Sequence, residues 1–141
     1  MEYERKINYY ETDRMGIVHH SNYIRFLEET RCYSLEKIGM PFSKLEENGI
    51  TIPVLAVFCE YKKHVTFEDT IIIKMFTKEY NGVRMTIGYE IREKETGALV
   101  ATAETKHCFT NRELKPINLK KVSPEFSANF EKMKEDIKWK N

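Results

Sequence analysis

The 141-residue chain is predicted to adopt an α+β fold, an antiparallel sheet with one long helix laid against its face. Three observations carry this. Apolar residues recur with a period near 3.6 over residues 22–38, the period then changes to two, and turn signals of the hairpin type separate the later apolar segments. One core is expected, because a chain of this size buries roughly 70% of the surface exposed by its open form. Residues 1–141 are read as a single domain, with no repeat, low-complexity tract or long linker to divide them.

The segment "YERKINYY" reads as a short first strand. From Asn22, Tyr23, Ile24, Leu27, Leu35 and Ile38 fall in one helical stripe together with Thr30, Arg31 and Ser34. Ser21 or Asn22 caps the start, and Gly39 followed by Pro41 stops the pattern. "ITIPVLAVFCEY" and "TIIIKMFTKEY" read as strands. In "VRMTIGYEI", Val83, Met85, Ile87, Tyr89 and Ile91 alternate with Arg84, Thr86, Glu90 and Arg92, which predicts a strand with one wet face. Asn81–Gly82 before it and Glu95–Thr96–Gly97 after it suit hairpins, the second leading into "ALVATAETKHCFTN". Ser123–Pro124 opens a terminal helix with Phe126, Phe130, Met133 and Ile137 on one face.

Hydrophobic residues make up 41% and charged residues 32%, the composition of a soluble globular protein. The balance of 23 Lys and Arg against 22 Asp and Glu gives no long-range attraction for nucleic acid. No apolar run approaches the roughly 20 residues that cross a bilayer, and the first residues lack the apolar stretch of a signal peptide. A cytoplasmic protein without membrane insertion is therefore expected. Cys32, Cys59 and Cys108 lack the paired spacing of a zinc site and are read as reduced, mostly buried thiols. No G-x-S-x-G, P-loop, G-x-G-x-x-G or H-E-x-x-H occurs, so serine-hydrolase, nucleotide-hydrolase, dinucleotide-binding and zinc-protease readings lack support, and no metal is expected.

The densest chemistry lies in "YYETDRMGIVHHSNYIRFLEETR", residues 9–31. Asp13 falls between the first strand and the helix, and Gly16 just after it permits a turn of positive φ or close approach by a ligand. Ile17 to Ser21 then bring amide N–H groups to the positive end of a helix, where a developing oxyanion is stabilised. Asp13 is thus either half of a hydrolytic pair or a plain helix cap. His20 and Tyr9 favour the first reading, because an imidazole and a phenol near one carboxylate set its protonation and orient water. His19 is expected to face away from the site. Glu28 and Glu29 are adjacent, cannot share a helix face, and are read as structural. Two basic clusters, Lys62–Lys63–His64 and Arg112 with Lys115, Lys120 and Lys121, gain interest only if a ligand brings phosphates.

The run Y-x-E-T-D-x-M-G-x-V-x-H-x-N-Y, here Tyr9, Glu11, Thr12, Asp13, Met15, Gly16, Val18, His20, Asn22 and Tyr23, resembles the signature of the hotdog-fold acyl-CoA thioesterases. More narrowly, it is similar to the 4-hydroxybenzoyl-CoA thioesterase-like group that includes the small enzyme associated with the Tol-Pal cluster. The resemblance implies a hotdog fold, a curved antiparallel sheet wrapped around the long helix. It implies dimers joined edge to edge, often paired into a homotetramer, with active sites at the subunit interface. By motif position Asp13 is the catalytic carboxylate, with His20 and Tyr9 as companions. Gly16, Val18, Asn22 and Tyr23 are expected at the substrate, and the amide at or near His20 is expected to polarise the thioester carbonyl. Either Asp13 attacks that carbonyl to form an anhydride or it activates a water. Many relatives carry an aromatic residue in place of His19, whereas His20 keeps the family's distance from Asp13.

Coenzyme A brings phosphates, and Arg112 and Lys115, after the last strand, are the expected partners for them. No cofactor is implied, since coenzyme A is part of the substrate. The alternative to an acyl-CoA thioesterase is a non-catalytic module that binds acyl-CoA or an acyl-carrier protein. A third reading, a hotdog dehydratase or hydratase, requires a different arrangement of His and acidic residues.

Overall fold

The computed structural model describes residues 1–135. β1 (Glu2–Lys6) leads through a 3-10 turn (Tyr9–Glu11) to α1 (Ser21–Lys37) and the short α2 (Phe42–Glu47). β2 (Val54–Tyr61), β3 (Thr70–Tyr80), β4 (Arg84–Glu93) and β5 (Leu99–Cys108) follow, then α3 (Leu119–Val122) and α4 (Pro124–Glu135). The strands form one antiparallel sheet in the order β1-β3-β4-β5-β2.

Local turn chemistry accounts for the centre of the sheet. Asn81 Oδ1 accepts the N–H groups of Val83 and Arg84 while Gly82 takes φ +89°, so β3 returns directly as β4. Gly97 at φ +73° does the same between β4 and β5. Ile71, Ile73 and Met75 of β3 and Met85, Ile87, Tyr89 and Ile91 of β4 share one buried core with Phe26 and Leu27 of α1. Helix α1 stops where Gly39 adopts φ +78°, with Gly39 N–H donating to Glu36 O and Met40 N–H to Leu35 O.

Several boundaries differ from the sequence reading, whereas α4 opens where it was expected. Helix α1 starts at Ser21 with His20 in the N-cap position, and its buried stripe takes in Phe26 while Ile24 is half-exposed. A turn of 3.6 residues groups position 26 with 23, 27 and 30 and leaves 24 on the flank. The first strand ends at Lys6, because Asn8 N–H donates to Glu11 Oε1 and winds the segment after it. β2 begins only at Val54, since Pro53 has no N–H for a ladder, and Thr51 pairs alone with Thr110. α4 begins at Pro124 and buries Phe126, Phe130 and Met133; Ile137 lies outside the described residues. No helix among the described residues is long and apolar enough to cross a membrane.

Candidate active site

Asp13 does not cap α1. Thr12 and Val18 form an isolated bridge, Asp13 N–H donates to Ile17 O at 2.8 Å and Gly16 N–H to Asp13 O at 2.9 Å, so residues 12–18 make a tight hairpin. Gly16 turns it with φ +79°, a conformation that costs other L-residues roughly 1–2 kcal/mol. Asp13 Oδ1 accepts Met15 N–H at 2.8 Å, which fixes the carboxylate and leaves Oδ2 uncommitted among the described residues.

The hairpin is anchored on both sides. Val18 N–H donates to Val65 O at 2.9 Å and Ile17 bridges Thr66, which ties it to the segment after β2. On the other side Glu11, buried, pairs with Arg5 Nη1 at 2.7 Å, while Arg5 Nε reaches Glu29 Oε1 at 2.8 Å and its guanidinium lies 4.3 Å from the Phe26 ring centre. Glu29 thus serves as the structural anion that its position on the helix suggested. Glu11 O accepts both His19 N–H and Asn22 Nδ2, each at 2.9 Å, fastening the start of α1 to the same point.

The result is an open cleft of about 310 Å³ with Asp13, Val18, His20 and Tyr23 on one wall and Tyr61, Lys62, Lys63 and His64 on the other. The His20 amide N–H, at the mouth of α1, makes no hydrogen bond among the described residues, whereas Ser21 N–H is taken by His19 Nδ1 at 3.2 Å. The His20 ring is exposed and stacks at 4.2 Å on His19, whose Nδ1 also meets Ser21 Oγ at 2.8 Å. Tyr61 OH donates to His20 O at 3.3 Å, and its ring meets Tyr23 edge-on at 5.0 Å. Burial, with Cys59 and Tyr61 nearby, pushes the Tyr23 phenol up to about 12, so it stands in the cleft as a neutral hydroxyl.

The other residues singled out from the sequence are placed elsewhere in this chain. Tyr9, 74% exposed, packs edge-on against Phe67 and is outside the cleft lining. Gly16 shapes the turn, and buried Asn22 tethers Glu11 O and accepts from Arg25. Arg112, expected at the phosphates, donates to the carbonyls of Glu46 and Glu47 at the end of α2, and Lys115 lies exposed beyond it. The basic residues beside Asp13 are instead Lys62, Lys63 and His64. Their cluster was visible in the sequence, but its place at the site depends on the Ile17–Thr66 bridge, a long-range contact with no local signal. Cys32, Cys59 and Cys108 are free, half-buried, and outside the cleft lining.

A five-stranded antiparallel sheet of this order packed against one long helix is the arrangement of the hotdog fold. Known proteins agree. Residues 7–130 match the model of the thioesterase-like superfamily. The chain is 33% identical over 132 residues to the Bacillus subtilis (strain 168) protein provisionally named acyl-CoA thioesterase YneP, covering 93% of this chain and 95% of that one. A solved structure of an Aquifex aeolicus protein superposes with TM-score 0.82 at 35% identity, covering 89% of this chain and 97% of its own. The DHNA-CoA thioesterase of Staphylococcus aureus superposes with TM-score 0.88 at 28% identity, covering 99% and 93%. The chain belongs to the thioesterase-like superfamily, and it is a thioester hydrolase.

Proposed function

We propose that this protein hydrolyses acyl-CoA thioesters to the free acid and coenzyme A, as a member of the 4-hydroxybenzoyl-CoA thioesterase-like group. The observation that carries the reading is the pairing, on one cleft, of a tethered carboxylate at Asp13 with an uncommitted amide N–H at His20. The thioester carbonyl oxygen takes the His20 N–H as negative charge develops on it, and Oδ2 of Asp13 either activates the attacking water or attacks the carbonyl itself. The C–S bond then breaks and the thiolate of coenzyme A leaves; where Oδ2 has attacked, a water hydrolyses the resulting mixed anhydride, which releases the acid and restores the Asp13 carboxylate. No cofactor enters, and the reaction belongs with the acyl-CoA pool of the cytoplasm.

Lys62 and Lys63 are the candidates for the phosphates of the nucleotide end. They pair with Glu60 at 2.8 Å and Glu93 at 3.0 Å, but both lysines are substantially exposed. Such pairs are worth under about 1 kcal/mol, so a pyrophosphate can displace them. A second copy of the chain, joined along β2, is expected to complete the cleft, because Tyr61 on that strand lines it and the neighbouring residues of β2 are exposed.

The test is hydrolysis of a graded panel of acyl-CoA substrates by the purified protein and by Asp13→Asn. We expect kcat/KM to fall at least about a hundredfold in the variant, the lower range for loss of a catalytic base or nucleophile. Equal rates would end the proposal, and tight binding of acyl-CoA without turnover by the unaltered protein would establish the binding-module alternative.

A further inference from the structure

Arg31 carries its charge into the interior beneath α1, where the residue keeps 9% of its exposure. A guanidinium stays protonated inside proteins, and buried charges are normally paired. Among the described residues no carboxylate lies within ion-pair distance of it. Its hydrogen bond runs from Nη1 to the Tyr89 hydroxyl at 3.1 Å.

From Tyr89 a chain of short contacts crosses to β5. Tyr89 OH lies 2.6 Å from Thr105 Oγ1, which lies 2.7 Å from His107 Nε2. Arg31 supplies only protons, so the Tyr89 oxygen accepts from it and gives its own proton to Thr105, which in turn donates to Nε2. The neutral His107 ring then holds its proton on Nδ1. That atom is buried and has no hydrogen-bond partner among the described residues, although the carbonyls of Ile52 and Pro53 stand near the ring. Ser34 Oγ, the next turn along α1, and Thr77 Oγ1 on β3 are also buried without partners.

Arg31 and His107 line a cavity of about 20 Å³ whose remaining walls are apolar. The space suits one particle of the size of a water molecule or a halide ion and is far too small for an acyl chain. Its polar side chains, Arg31 and the neutral His107 with its proton on Nδ1, both offer donors. A water would satisfy one donor but leave the charge uncompensated; a compact anion answers both.

We propose that this cavity binds a single monovalent anion of halide size, held by Arg31 with His107 Nδ1–H as second donor. The anion would join α1 to β4 and β5 at a place separate from the Asp13 cleft, with which the cavity shares no lining residue.

Bromide is the probe. Crystals of the unaltered protein grown in bromide should show an anomalous peak in the cavity beside Arg31. In solution the unfolding constant should fall about tenfold for each tenfold rise in bromide above its dissociation constant, relative to gluconate at equal ionic strength, which is too large to enter. Arg31→Met should lose that dependence. Density in the cavity for a water alone, or for a carboxylate of this chain or of a partner, would overturn the proposal. So would a bromide peak there with identical unfolding in bromide and gluconate, which would mark an adventitious ion only.

Discussion

His107 shows how one side chain ties stability to pH. It is 1% exposed, and burial together with the nearby charge of Arg31 lowers its pKa from 6.5 to about 4, against a smaller opposing effect of the Ile52 and Pro53 carbonyls. The unfolded chain therefore binds a proton between these values that the folded protein refuses. The contribution is fully present above pH 6.5 and is lost as pH falls through about 4. A shift of this size corresponds to about 3 kcal/mol, so urea midpoints measured in gluconate should fall steadily over that window, and His107→Gln should flatten the slope. Asp13, under the proposed hydrolysis, is expected to make the opposite case, of function without stability. Asparagine keeps the oxygen that accepts Met15 N–H, so Asp13→Asn should unfold within about 0.5 kcal/mol of the parent while losing hydrolysis. A large drop in its urea midpoint would mean that the charge, and not only the hydrogen bond, holds the hairpin.

Among the elements, the hairpin at residues 12–18 carries the candidate site. An added Cβ at Gly16 would meet nothing within 4 Å, so Gly16→Ala tests backbone strain alone. It should lower stability by roughly 1 kcal/mol and reduce kcat by shifting the Asp13 carboxylate, with coenzyme A affinity little changed. Equal loss of affinity would show that the hairpin also shapes the nucleotide end. This hairpin also marks the limit of what the sequence reveals. The stop of α1 at Gly39, the turns at Gly82 and Gly97 and the alternation of β4 were all legible, because each depends on neighbours within a few residues. Whether Asp13 caps the helix or belongs to a hydrolytic pair was left open, and the hairpin that takes it away from the cap position was not foreseen, since it is held by contacts with Glu11 and Thr66 that depend on β1 and β3 being in place. α2, six residues long, is too short for its period to show. Arg112 and Lys62 were equally basic in the sequence; only the path of the chain puts one on the carbonyls of α2 and the other beside Asp13.

Over the whole molecule the two edges of the sheet are unlike. β1, at one edge, presents exposed Glu2, Glu4 and Lys6, and charged side chains of this kind discourage pairing with another strand. β2, at the other edge, leaves Phe58 57% exposed and Leu55 and Tyr61 49%, with Val54 and Val57 beside them. Apolar residues on both faces of an open edge are costly in water and are covered when a second copy continues the sheet. Assembly through β2 rather than β1 is therefore expected, and it sets the partner next to Tyr61 and the Asp13 cleft. Val57→Lys places a charge on that edge without touching the core of its own chain. The parent should sediment as a dimer or larger and Val57→Lys as a monomer, with far-ultraviolet circular dichroism unchanged. If the partner completes the cleft, hydrolysis should fall with the loss of the dimer and recover as higher protein concentration restores it. A monomeric parent with full activity would show that one chain holds the entire site.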